Sequence, residues 1–261
     1  MALLERNDTG SIAYLTLNAP EKLNALSEEM LEALQSEFDA LKNDQAIRAV
    51  IIEGAGKAFC AGHDLKEMTA GRQAEDGGKA YFKTLFNRCA KMMQTIQKLP
   101  QPVIAQVHGI ATAAGCQLVA SCDLAVAAEG TKFGVNGVNI GLFCSTPMVA
   151  LSRNIPRKQA FEMLTTGQFI DAARAQDLGL INRIVSEEQL SAETRAFAEL
   201  LASKLGVAVK IGKEAFYNQL QMPLSEAYEY AGDVMVENML YRDTEEGISA
   251  FIEKRGPNWR Q

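Results

Sequence analysis

The chain has 261 residues, 48% of them apolar and 22% charged, enough for one large domain or a core carrying a helical appendage, and too few for two unrelated domains. A formal net charge of −6 argues against nucleic acid as a partner, because an acidic surface is repelled by phosphate backbones. The five cysteines, Cys60, Cys89, Cys116, Cys122 and Cys144, are odd in number and form no CxxC pair. Reduced thiols, no metal site and a cytoplasmic location are therefore expected. No apolar run has the length of a membrane span, and the first residues read as strand rather than targeting segment.

In chain order, Ser11–Leu17 alternates as a strand does, and Ser27 is placed to cap a helix whose Met30, Leu31, Leu34, Phe38 and Leu41 recur at helical spacing. Ala49–Glu53 is a short β-branched run. The segment from Glu67 to Gly78, interrupted at Asp76–Gly78, is expected to be a mobile loop. Val103–Val107 and Leu124–Ala128 repeat the strand signal, and AAGCQLVASC between them reads as a short, closely packed helix. This alternation predicts a right-handed α/β winding. Beyond Pro147 helical patterns follow one another, near Ser152–Thr165, Ala172–Leu178, Glu187–Lys204, Val207–Gln219, Leu224–Leu240 and Thr244–Lys254.

Two glycine turns carry the chemical signal: FCAGHDLKEM at Phe59–Met68 and HGIATAAGCQL at His108–Leu118. Each follows a predicted strand. Ala113, Ala114 and Gly115 are expected to form the first turn of a helix, where unpaired N–H groups and the helix dipole favour negative charge. A lone glycine turn usually serves only tight packing, and two together weaken that reading. Neither has a phosphate-loop or dinucleotide pattern, so nucleotide hydrolysis and hydride transfer are disfavoured.

These residues resemble the crotonase superfamily, the enoyl-CoA hydratase/isomerase family. The resemblance spans nearly the whole chain through NAPEKLNALSEEM at Asn18–Met30, AFCAGHDLKEM at Ala58–Met68, HGIATAAGCQLVASCDLAVAAEGTKFG at His108–Gly134 and a terminal EEGISAFIEKRGP. It implies a spiral of repeated ββα units over residues 1–200 and a C-terminal helical trimerisation region over 201–261, with two trimers stacking into a hexamer. It also implies an oxyanion hole made by the backbone N–H groups of His63 and Ala114. Coenzyme A, as part of the substrate rather than a cofactor, is then contacted by Lys22, Ala25, Ala61, Asp64, Leu65 and Lys66. Phe251 and Lys254 match a contact often supplied by a neighbouring subunit.

The chain departs from the family where hydratases carry two glutamates. The first position holds Gln117 and the second Gly137. A glutamine amide orients water but accepts no proton at neutral pH. The position of an alternative family carboxylate holds Ser145, beside Cys144, and Cys144 reads as a buried, inert thiol. His108, at a strand end, reads as structural, and the His63 ring as structural or CoA-contacting before catalytic. Three readings follow: an acyl-CoA enzyme working through a stabilised enolate, a non-catalytic acyl-CoA-binding protein, and an enzyme resembling methylmalonyl-CoA decarboxylase. A carboxylate from Glu67, Glu75 or Asp76 reaching the pocket would favour an enzyme.

Overall fold

The computed structural model describes residues 2–260. Its main sheet has six strands: β1 (Leu4–Thr9), β2 (Ile12–Leu17), β3 (Ala49–Gly54), β4 (Val103–Val107), β6 (Leu124–Ala128) and β9 (Arg183–Val185), in the order β1-β2-β3-β4-β6-β9. Only β1 and β2 run antiparallel. The central strands β3 and β4 are buried on both faces, as parallel strands covered by helices must be. Val50 and Ile52 of β3 join the main core with α1 (Glu28–Leu41), whereas Ala49 and Ile51 face α8 (Leu190–Ala202). On β4, Val103, Ala105 and Val107 divide from Ile104 in the same way. Period-two alternation is thus present, hidden in sequence because both faces are apolar.

A second sheet joins β5 (Ile110–Thr112), β7 (Lys132–Gly134) and β8 (Ile170–Asp171). Strands of two or three residues are too short to leave a periodic signature, so only the structure reveals them. β1 is likewise unannounced, its residues mostly exposed and polar. α1 begins as expected, with Ser27 Oγ accepting the Met30 N–H at 3.1 Å.

Three expectations need correction. The segment expected to be a loop opens as a helix, α2 (Leu65–Gly71), because the Asp64 side chain caps it, accepting from the N–H groups of Lys66 and Glu67. The helix expected over Ser152–Thr165 is broken into α5 (Pro147–Asn154) and α6 (Arg157–Thr166). Pro156 lacks an N–H and drives Ile155 into extended backbone, φ −120° and ψ 160°. Ala113 lies outside the first helical turn, at φ 49° and ψ −118°. The longest helix, α3 (Lys79–Lys98), goes beyond the elements expected. Its buried Leu85, Cys89, Met92, Met93 and Ile96 carry the helical spacing that would have revealed it.

Beyond the second sheet come α7 (Ala172–Leu178) and α8, then α9 (Gly206–Gln219), α10 (Leu224–Met239) and α11 (Arg242–Ile252). Neither α9 nor α10 contains a buried residue. α9 is tied to the core through Lys213, whose Nζ donates to Asp123 Oδ2 at 2.6 Å and to the carbonyls of Ile96 and Gln101. Asp123 also accepts from the Val103 N–H and from the Tyr217 hydroxyl. Burial pulls the Lys213 ammonium pKa down, while Asp123 favours its charge. Removing one partner of such a pair costs about 3–5 kcal/mol. Asp123→Ala should therefore shift a urea unfolding curve by about that amount, and an unchanged midpoint would show that other contacts hold α9.

Candidate active site

The two glycine turns meet. The Cys60 N–H donates to the Ile110 carbonyl at 3.1 Å and its carbonyl accepts from the Thr112 N–H at 3.0 Å, so the first motif pairs with β5, which lies within the second motif. The Ala113 N–H donates to the Gly134 carbonyl at 2.9 Å, and Thr112 Oγ1 donates to Asn136 Oδ1 at 2.6 Å. Held from both sides, Ala113 adopts a positive φ that costs a non-glycine residue on the order of 1–3 kcal/mol. It thereby starts α4 (Ala114–Ser121) abruptly.

Gly62 lies directly against that start. At φ +91°, a Cβ built on it would stand 3.2 Å from the Ala114 nitrogen and 3.0 Å from the Ala113 Cβ. Gly115 packs still closer, its Cα facing the Cys60 carbonyl without room for a methyl group. Among the described residues, neither the His63 N–H nor the Ala114 N–H donates to a protein acceptor. Two unpaired donors on adjoining turns, one opening a helix, suit an oxygen carrying negative charge.

The first motif region folds onto the same turns. The Ala61 N–H donates to the Leu23 carbonyl, the Leu26 N–H to the Gly62 carbonyl at 2.7 Å, and Lys22 Nζ lies 3.3 Å from Asp64 Oδ2. Lys22, Ala25, Ala61, Asp64, Leu65 and Lys66 thus gather beside Gly62, with Lys22, Leu65 and Lys66 exposed. Burial pushes the Asp64 carboxyl pKa up, but the N–H groups of Lys66 and Glu67 and the Lys22 ammonium together hold it below the usual range. Phe251 and Lys254 are not brought to this cluster: Phe251 is 85% exposed at the end of α11, whose packing is on α10.

The carboxylates considered from sequence are mostly committed elsewhere. Glu67 Oε2 accepts from the Glu28 N–H at 3.0 Å, and Asp76 accepts from the N–H groups of Gly78 and Ala80 at the start of α3. Glu75 is exposed. Gln117, one turn into α4, is 5% exposed, and its Oε1 has no partner among the described residues. At Gly137 a Cβ would collide with the Leu142 carbonyl and approach Cys144 Sγ at 2.8 Å. Cys144 is buried, which pushes its thiol pKa up. His108 Nε2 meets the Gly56 carbonyl at 2.8 Å, a structural contact as expected.

The His63 ring lies edge-on to Phe86, with Nδ1 3.3 Å from the Leu26 carbonyl. A carbonyl only accepts, so Nδ1 carries the proton and Nε2 the lone pair, and Nε2 is buried without a partner. Burial pulls the ring's pKa below its usual range, outweighing the Leu26 carbonyl. The orphaned Nε2 and Gln117 Oε1 carry no local sequence signal; they arise from packing.

The sequence profile of the enoyl-CoA hydratase/isomerase family matches residues 7–261, and the chain belongs to that family. It is 47% identical over 248 residues to enoyl-CoA hydratase domain-containing protein 3, mitochondrial, of Xenopus laevis, covering 95% of this chain and 83% of the relative. Among solved structures, an enoyl-CoA hydratase of Mycobacterium smegmatis superposes with a TM-score of 0.95 at 52% identity, covering 99% of both chains. Human enoyl coenzyme A hydratase domain-containing protein 3 superposes with a TM-score of 0.94 at 44% identity, covering 98% of this chain and 100% of that one. The fold is the α/β crotonase fold.

Two tests follow from the geometry. Below about pH 6.5 the unfolded chain protonates its His63 ring, whereas the buried ring resists protonation. The contribution of His63 to stability is therefore fully present above that pH and is lost as pH falls toward the ring's lower folded value. Urea titrations of His63→Ala should show a shallower decline in stability over that window than the parent; equal slopes would refute the assignment. Gly115→Ala should be strongly destabilised by its collision with the Cys60 carbonyl, seen as a lowered Tm.

Proposed function

We propose that this chain processes an acyl-CoA thioester by holding its carbonyl oxygen on the N–H groups of His63 and Ala114 and stabilising the thioester enolate there. The observation that carries this reading is the packing of Gly62 against the Ala114 nitrogen, which sets two unpaired donors on adjoining turns. Coenzyme A then lies along Lys22, Ala25, Ala61, Asp64, Leu65 and Lys66, its phosphates met by the exposed ammonium groups. Loss of one such donor costs about 10²–10³ in turnover.

Ordinary hydration is not the reaction in this proposal. Gln117 accepts no proton at neutral pH, and the space a side chain on Gly137 would need is taken by the Leu142 carbonyl and Cys144. A substrate that forms its enolate by losing its own carboxylate, as in a methylmalonyl-CoA decarboxylase-like reaction, needs only the two N–H donors. The same residues favour a second reading, an acyl-CoA-binding protein without turnover. Copies associate through the C-terminal helices as trimers or hexamers: Leu224, Tyr228, Met235, Leu240 and Ile252 are more than 60% exposed, and burying such a surface is strongly favourable. Phe251 and Lys254 then reach the site of a neighbouring copy.

Incubation with enoyl-, dienoyl- and malonyl-type CoA thioesters, followed by mass spectrometry, is expected to show conversion of at least one substrate, and Gly62→Ala to abolish it. Thioester binding by calorimetry without any conversion would establish the binding-protein reading instead. Failure to bind any thioester would sink both.

A further inference from the structure

Ala113 is held at φ 49° and ψ −118°, a conformation that a residue with a Cβ rarely adopts, and it stands directly before the Ala114 N–H. The peptide plane between the two residues sets the direction of that N–H, so any relaxation of Ala113 turns the donor. Relaxation needs one flank of Ala113 to give. The downstream flank is α4, whose residues are all buried and whose Gln117 N–H donates to the Ala113 carbonyl at 3.0 Å. The upstream flank is Thr112, the last residue of the three-residue strand β5, and this is where the turn could yield.

Thr112 is the one residue of Ile110–Gly115 with a polar side chain. Its hydroxyl donates to Asn136 Oδ1 at 2.6 Å, beside the backbone bonds that its own N–H makes to the Cys60 carbonyl and the Ala113 N–H makes to the Gly134 carbonyl. Asn136 stands on a platform that is itself fixed. It follows β7 by two residues, the Leu142 N–H donates to the Gly137 carbonyl at 3.0 Å, and Asn139 Nδ2 donates to the Gly167 carbonyl at 3.3 Å. The absence of a side chain at Gly137 lets the Leu142 carbonyl and Cys144 close on it directly.

We infer that Asn136 is a positioning residue for the Ala114 donor: by accepting the Thr112 hydroxyl it holds Ala113 at positive φ and so keeps the Ala114 N–H directed at the thioester oxygen. Asn136 acts through Thr112 and Ala113, not through contact with substrate. The inference rests on the thioester reading above and names the side-chain pair that keeps one of its two donors in place.

Infrared difference spectra of the intact protein with butyryl-CoA carrying carbon-13 at the thioester carbonyl test it, because a carbonyl polarised by hydrogen bonds absorbs at lower frequency. The parent protein is expected to show a downshifted band, and Asn136→Ala to return most of it to the position of the free thioester. Ala113→Gly added to Asn136→Ala should restore the downshift, since glycine takes a positive φ without strain and needs no tie. Thr112→Val, which removes the hydroxyl at nearly constant shape, should match Asn136→Ala and decides the matter if that variant does not fold. For any thioester the protein converts, kcat in Asn136→Ala should fall about 10²-fold, the order set by a misplaced group, with KM little changed, and should recover in the double variant. A full downshift in either single variant, or a loss that Ala113→Gly does not restore, would overturn the inference while leaving the thioester site standing. No binding, or no downshift in the parent, would overturn the reading of the two donors and this inference with it.

Discussion

The Cys60 carbonyl is the point on which the site depends. It accepts the Thr112 N–H and leaves Gly115 no room for a side chain, so one oxygen fixes the separation of two turns far apart in sequence. Gly62 then falls against the Ala114 nitrogen, and Ala113 is forced to a positive φ. Backbone donors positioned by sheet pairing need no reorganisation when charge develops on a bound oxygen, which is the condition under which such donors are most effective.

Around that fixed point the ionisable groups are largely withdrawn. Glu67 and Asp76 close helix ends, Asp64 caps α2 and pairs with Lys22, and burial keeps His63 neutral and Cys144 a thiol. Nearby in the chain, α4 carries a neutral amide at Gln117 and Gly137 offers only backbone. The region around the two turns is thus rich in fixed donors and poor in free proton carriers.

The C-terminal helices follow different physics. α9 is held by a buried cation on carbonyls and a carboxylate, a directional attachment. α10 and α11 expose large apolar side chains that the chain does not cover itself. Polar anchoring of α9 and exposed apolar faces on α10 and α11 together set this region apart from the apolar packing of the core.

Much of this was legible in the residues. Apolar runs at Ala49–Glu53, Val103–Val107 and Leu124–Ala128 gave the inner strands because strands buried on both faces must be apolar throughout, and Ser27 gave the start of α1 because its hydroxyl caps that helix. Gly62 and Gly115 marked the two turns, Gly115 because a Cβ has no space there and Gly62 because its φ is +91° in a tightly packed position. The second sheet was not legible, its strands being too short for a period, and the helical pattern on either side masks the break at Ile155–Pro156. Sequence by itself determined the family and the inner strands and marked the two glycine turns, because these are local or repeated along the chain. Only the tertiary structure decided that Glu67 and Asp76 are spent on caps, that Cys144 fills the space beside Gly137, and that Gln117 and His63 each keep an unpaired acceptor, because each depends on neighbours distant in sequence.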